Sequence, residues 1–368
     1  MSKDRGFTLV ELIVALAMFT IIIGIPLSLL IRELKSTVRQ TNLSQSSLEK
    51  VVFASIIRRD IQQAGYGLAW DVNGVTFSDT TTSVPEYTAS LSVFNVSPPT
   101  VPKAIDGLRD TSGNGFSYLV LRATTLGFSK AIEHWTYIDK NGYVTVWPDN
   151  SSKQYDNFQQ GDNAIVLNAA NRRIVPNSAT GTFYFTILHD FTPAYTSASY
   201  YGLPTGIFGS NYLVYGISHN TTPTMPYNRV DYYLHRPATM PKNCAPGTYI
   251  LYRNASYPVL SCVADFQVGF GLDTNNDGVI DSWTQDLTSL SALQVREQLK
   301  QVRVYILVQN GVFDPDYVYP YTSVYVGNPS LGTSGIGRNF TFSGITDFRH
   351  YRWKLIRLVV QPKNLGEY

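Results

Sequence analysis

Asp273-Thr274-Asn275-Asn276-Asp277-Gly278-Val279-Ile280-Asp281 carries hard oxygen donors at alternate positions. Asp273, Asn275 and Asp277 can aim oxygens at one point, Gly278 permits a sharp turn, the Val279 carbonyl can ligate, and Asp281 adds a carboxylate directly or through water. Three carboxylates in nine residues repel one another without a cation, and this donor set suits Ca²⁺. Thr284 stands where a full EF-hand has its glutamate, so the loop is not an EF-hand. The competing reading is a metal-free Asx turn. No helix pair that could open is evident, so the expected role is a structural Ca²⁺ clip.

Other chemistry is thin. His134, His189, His219, His235 and His350 are scattered, with no metal-ligand spacing. His189-Asp190 reads as a surface pair. There is no G-x-S-x-G elbow. Gly332–Gly337 is glycine-rich but lacks a following lysine and a parallel βαβ setting, so it reads as a loop. Tyr317, Tyr319 and Tyr321 alternate as one face of a strand would. The chain is read as non-enzymatic. Cys244 and Cys262, 18 apart, pair if the compartment is oxidising and stay buried thiols if it is reducing.

The compartment is argued from the N-terminus. Met1–Gly6 is short and holds Lys3 and Arg5; Leu12 to Ile31 then runs twenty residues without a charge. That length suits a helix crossing a bilayer, and the leading cations favour a cytoplasmic N-terminus. A cleaved signal peptide would have a shorter apolar core and a small-residue cleavage site after it. A plain anchor leaves Glu11 unexplained, because a carboxylate at the edge of such a span costs about 2–3 kcal/mol unless paired.

Gly6-Phe7-Thr8-Leu9-Val10-Glu11, after a basic leader and before a charge-free run, resembles the type IV prepilin signature. The resemblance implies cleavage by a prepilin peptidase between Gly6 and Phe7, N-methylation of Phe7, and a Glu11 that meets the new amine of a neighbour in a filament core. Each charge would compensate the other where neither is tolerable alone.

The domain reading follows: leader 1–6, transmembrane half-helix 7–31, amphipathic half-helix 32–66, β-rich head 67–368. Leu48, Val51, Val52, Ile56, Ile57 and Ile61 suggest one apolar face, with Arg58, Arg59 and Asp60 as a solvated one. Gly65 and Gly67 should stop the helix, about 85 Å from Phe7. Gly24 and Pro26 should bend or locally melt it. Beyond it, 116–123, 131–137, 183–188, 230–234, 302–308 and 353–360 read as strands, 288–300 as a short helix, and 190–245 as a weak subdomain break. Thirteen per cent aromatic residues agree with sheet. The expected fold is α+β: a long helix packed on a large, mainly antiparallel β head, pilin-like.

Residues 59–66, 262–273, 299–308 and 352–365 together resemble PilW-type minor pilins. This implies a minor pilin of a type IV pilus, acting in assembly priming near the tip and in twitching motility. Its partners would be the major pilin, other minor pilins and an inner-membrane assembly platform. It would sit first in the inner membrane and then in the pilus at the cell surface. The rivals are a type II secretion pseudopilin and a membrane-anchored adhesin. A net charge of +2 gives no general pull toward nucleic acid.

Overall fold

The structure, a computed structural model, describes residues 8–81, 83–148, 157–204, 209–332 and 335–365; within the first helix the side chains at 21, 24–29, 31–32, 35–36, 38–39 and 42 also lie outside the description. Helix α1 runs Leu9–Gln63, 55 residues, about 82 Å at 1.5 Å per residue. It continues through positions 24 and 26 without the local melting expected there. It ends at Ala64 because Gly65 takes φ +91°, and a Cβ there would stand 2.5 Å from the Asn364 carbonyl oxygen.

The remaining elements are β1 (Ile105–Arg109), β2 (Ser117–Ala123), β3 (Trp135–Ile138), β4 (Asp162–Asn168), β5 (Phe185–Thr186), β6 (Tyr212–His219), β7 (Asn228–His235), β8 (Tyr249–Arg253), β9 (Tyr257–Leu272), β10 (Ser282–Thr284), α2 (Ala292–Gln298), β11 (Leu299–Asn310), β12 (Ser323–Asn328), β13 (Ile336–Thr341) and β14 (Arg352–Val360). The main sheet has the order β1-β2-β7-β8-β9-β11-β14, with β10 on β9, and every pairing is antiparallel. β2 lies directly beside β7, Ala123 opposite Asn228. The chain between them is an insertion that builds a second antiparallel sheet, β3-β6-β4-β5.

Period-two alternation explains why the central strands are covered on both faces. On β11, Val302, Val304, Ile306 and Val308 join the core beneath α1. Tyr305 and Leu307 point the other way, into a cluster capped by the β12–β13 hairpin residues Val326 and Ile336. The expected strand at 131–137 begins later, because Lys130–Glu133 forms a 3-10 turn. The expected strand at 183–188 shrinks to two residues. Tyr317–Tyr321 is not a strand; Tyr319 is buried against Phe342 and Tyr317 lies under Arg352.

The buried face of α1 keeps Ile57 and Ile61 of the expected set but not Leu48, Val51 and Val52. Phe53, Ile57, Ile61 and Ala64 are fully buried, whereas Leu48, Val51 and Val52 are exposed. The three buried large side chains contribute roughly 1.5–3 kcal/mol each. Asp60, expected on a solvated face, lies in this stripe and is buried. Its Oδ2 accepts from Arg253 Nε at 2.7 Å and from Tyr232 OH at 2.6 Å. A second buried charge group fastens the chain after α1 to the sheet. Asp79 accepts from Arg122, Arg229 and Tyr227. Burial would raise its carboxyl, but the two guanidiniums hold it below the ordinary value.

Candidate functional site

The N-terminal turn is built by a capping box. Thr8 caps α1: its Oγ1 accepts from Glu11 N, and Glu11 Oε2 accepts from Thr8 N at 3.0 Å. Glu11 therefore has a local partner within its own chain. The Thr8-x-x-Glu11 spacing could have revealed it. Gly6 and Phe7, the expected processing site, lie outside the described residues.

Above this turn α1 leaves the head. Leu9, Val10, Leu12, Ile13, Met18 and Phe19 are each more than half exposed, as are Ile22, Leu30 and Leu34. An apolar helix with such side chains in water requires lipid or neighbouring protein around it. Part of the expected membrane run falls on undescribed side chains, and no helix among the described residues is long and apolar enough to cross a membrane.

The acidic loop lies between β9 and β10. Asp273 is buried and accepts from the backbone N–H of Asp277 and Gly278. Asn275 Oδ1 also accepts from Asp277 N, Asp277 Oδ1 from Val279 N, and the Asp281 carboxylate from Thr274. Lys300 Nζ stands 3.6 Å from Asp273 and supplies a cation from within the protein. Among the described residues no group of three or more His, Cys, Asp or Glu side chains converges as a metal ion would need. The loop is thus closed by its own Asx turns in this arrangement.

Cys244 and Cys262 form a disulfide, Cα atoms 4.9 Å apart. It ties the chain before β8 to β9 beside the helix, where Ser261 N donates to Glu49.

The histidines find partners that spacing could not show. His134 Nδ1 and His219 Nδ1 lie 2.6 and 2.8 Å from the two oxygens of one buried carboxylate, Asp162. His219 Nε2 is in turn held by Asn220. His189 stacks on Tyr200 while Asp190 accepts from Gln160 N, so the two do not act as a pair. His235 lies beside Glu86, and His350 beside the Tyr317 carbonyl.

Comparison with known proteins bears on the N-terminus. Residues 1–25 match the family described as "Prokaryotic N-terminal methylation motif". No curated protein matches the chain. A type IV-like pilin from Thermus thermophilus is similar over 39% of this chain and 70% of its own, at 16% identity and a TM-score of 0.21. By the motif on residues 1–25, carried on a long helix that leads into a large antiparallel head, the chain is prepilin-like.

Proposed function

We propose that this protein is a non-enzymatic minor pilin, PilW-like, of a type IV pilus. A prepilin peptidase cuts between Gly6 and Phe7, and Phe7 is N-methylated. The charge-free half of α1 first holds the protein in the inner membrane. It then packs in the filament core against the major pilin and other minor pilins, delivered by the assembly platform. The observation that carries this reading is the methylation motif joined to a helix whose apolar side chains project, exposed, beyond the head. Lipid and then neighbouring helices would cover them.

Glu11 is assigned to axial register, through its charge and the freed amine of a neighbour's Phe7. Its capping role makes the test sharper. Glu11→Gln keeps a side chain that can complete the capping box but removes the charge. It should fail to enter pili while its helix and head stay folded. Normal incorporation of that variant would overturn the register role. The mass and first residue of the mature chain test the processing: a start at Phe7 with one added methyl is expected, and a start at Met1 would end the proposal. Loss of twitching on deletion, with secretion intact, separates a pilus from a type II secretion system.

The Asp273–Asp281 loop is further assigned a structural Ca²⁺. What supports it is donor chemistry: Asp273, Asn275, Asp277 and Asp281 supply oxygens and Val279 a carbonyl. Bound there, the ion would displace the Lys300 contact.

A further inference from the structure

Lys50 is buried on α1, 6% exposed, where the helix meets the last residue of β11. Its Nζ donates to Ser46 Oγ at 2.7 Å and to Asn310 Oδ1 at 2.6 Å. Both acceptors are uncharged. Burial, then the nearby Lys354, lower the amine to about 8, against an opposing pull from Glu49. A lysine in such a setting spends much of its time as the neutral amine, which is a nucleophile.

The facing group is the Asn310 carboxamide. A C=O bond is about 1.23 Å long, so an Nζ that lies 2.6 Å from Oδ1 stands at most about 3.8 Å from Cγ. Reacting atoms poised to combine sit roughly 3–3.5 Å apart. Both groups are held in place. On the helix side Phe53 is fully buried, and Glu49 accepts from Ser261 N at 2.9 Å. On the sheet side β11 is paired with β9 and β14, Asn310 opposite Arg352. The disulfide closes the same corner: Cys262, with Ser46, Glu49, Lys50 and Gln309, lines a hollow of about 60 Å³. That space admits a molecule the size of water or ammonia.

We propose that Lys50 and Asn310 become joined by an isopeptide bond. The Nζ lone pair attacks Asn310 Cγ, the Nζ–Cγ bond forms, and the Cγ–Nδ2 bond breaks. The proton shed by Nζ goes to the departing nitrogen, which leaves as ammonia; Ser46 Oγ, beside Nζ, and the Glu49 carboxylate can pass it on. Nothing is oxidised or reduced, and no other reactant is needed. The product ties α1 to β11 across a separation of 260 residues. Until it forms, Lys50 titrates as an amine; afterwards it does not. The proposal rests on the fold and not on filament membership.

The test keeps the full-length chain in detergent overnight at about pH 9, where most of the amine is neutral, then maps its tryptic peptides by mass spectrometry. The expected product is a pair of peptides joined between Lys50 and Asn310. It should be lighter than the sum of its parts by about 17 Da, the mass of ammonia, with no cleavage after Lys50. Recovery of the two peptides only apart means a hydrogen bond and nothing more, and overturns the proposal. Asn310 precedes Gly311, and closure of the asparagine onto its own backbone would lose the same mass without joining the peptides. The joined fragment therefore decides, and mass loss without it counts against the bond. The fragment should be absent from Lys50→Arg and from Asn310→Ser; its appearance in either would place the bond elsewhere and equally refute the assignment.

Discussion

Replacing Asp60 by alanine should cost this protein a large part of its stability, because of what the change leaves behind. In the parent, Asp60 Oδ2 accepts from Arg253 Nε at 2.7 Å and from Tyr232 OH at 2.6 Å. Arg253 is 7% exposed. Its Nη2 donates to the Leu126 carbonyl, and its Nη1 is buried without a hydrogen-bond partner. Without Asp60 the guanidinium keeps the Leu126 carbonyl and the Phe128 ring but no counter-charge, and the Tyr232 hydroxyl loses its acceptor. Breaking a buried ion pair from one side costs roughly 3–5 kcal/mol, against a total of about 5–15 kcal/mol for a typical domain. Because Asp60 sits between Ile57 and Ile61, the loss should also undock the end of α1 from β8. Urea denaturation of the full-length chain in detergent, read by tryptophan fluorescence, measures the first effect. Protease cutting within 50–64 reads the second. The double variant Asp60→Leu/Arg253→Met, which removes both charges, should recover most of the loss. A cost for Asp60→Ala below about 1 kcal/mol, or a double variant as unstable as the single one, would refute the reasoning.

Lys50 gives a pH signature. Burial, then the nearby Lys354, pushes its amine down to about 8, so between pH 8 and its ordinary value of 10.5 the unfolded chain holds the extra proton. Stability should therefore rise with pH across that window, and Lys50→Met should flatten the rise; parallel melting curves for parent and variant would contradict it. Calcium, added against a chelator, should raise the melting temperature of the full-length chain if the acidic loop binds it, and Asp281→Asn should abolish the rise; no shift in the parent removes the ion from this account. Reduction of Cys244–Cys262, which closes a separation of 18 residues, should lower stability by about 3 kcal/mol in urea titrations with and without reductant, and a difference under about 1 kcal/mol would show that the crosslink does little.

Much of the plan was legible in the order of residues. The stop of α1 at Gly65, the strands over 302–308 and 353–360 and the short helix after Ser291 all follow from local rules: a backbone only glycine adopts readily, alternation of apolar side chains, a serine cap. The methylation motif was legible for the same reason, since it is read from contiguous residues. The buried face of α1 was less so. Leu48, Val51 and Val52 look as apolar as Phe53 and Ile57, and only the position of the sheet decides which of them is covered. Asp60 reads as solvated beside the charged Arg58 and Arg59, although its spacing from Phe53, Ile57 and Ala64 already places it on the covered stripe.

What the sequence by itself determined is local: a helix start at Thr8, a helix end at Gly65, a long apolar run between, and an acidic loop with turn-forming residues. The tertiary structure alone decided what lies far apart in the chain and close in space. It set β2 against β7 across an inserted sheet, put His134 and His219 on one carboxylate, matched Asp60 with Arg253, and brought Arg296, Lys300 and Lys363 to the wall of one hollow. Periodicity and capping act over a few residues and leave their mark in the order of the chain; the pairing of a buried charge with a partner 193 residues away depends on how sheets close on one another, and no short pattern records it.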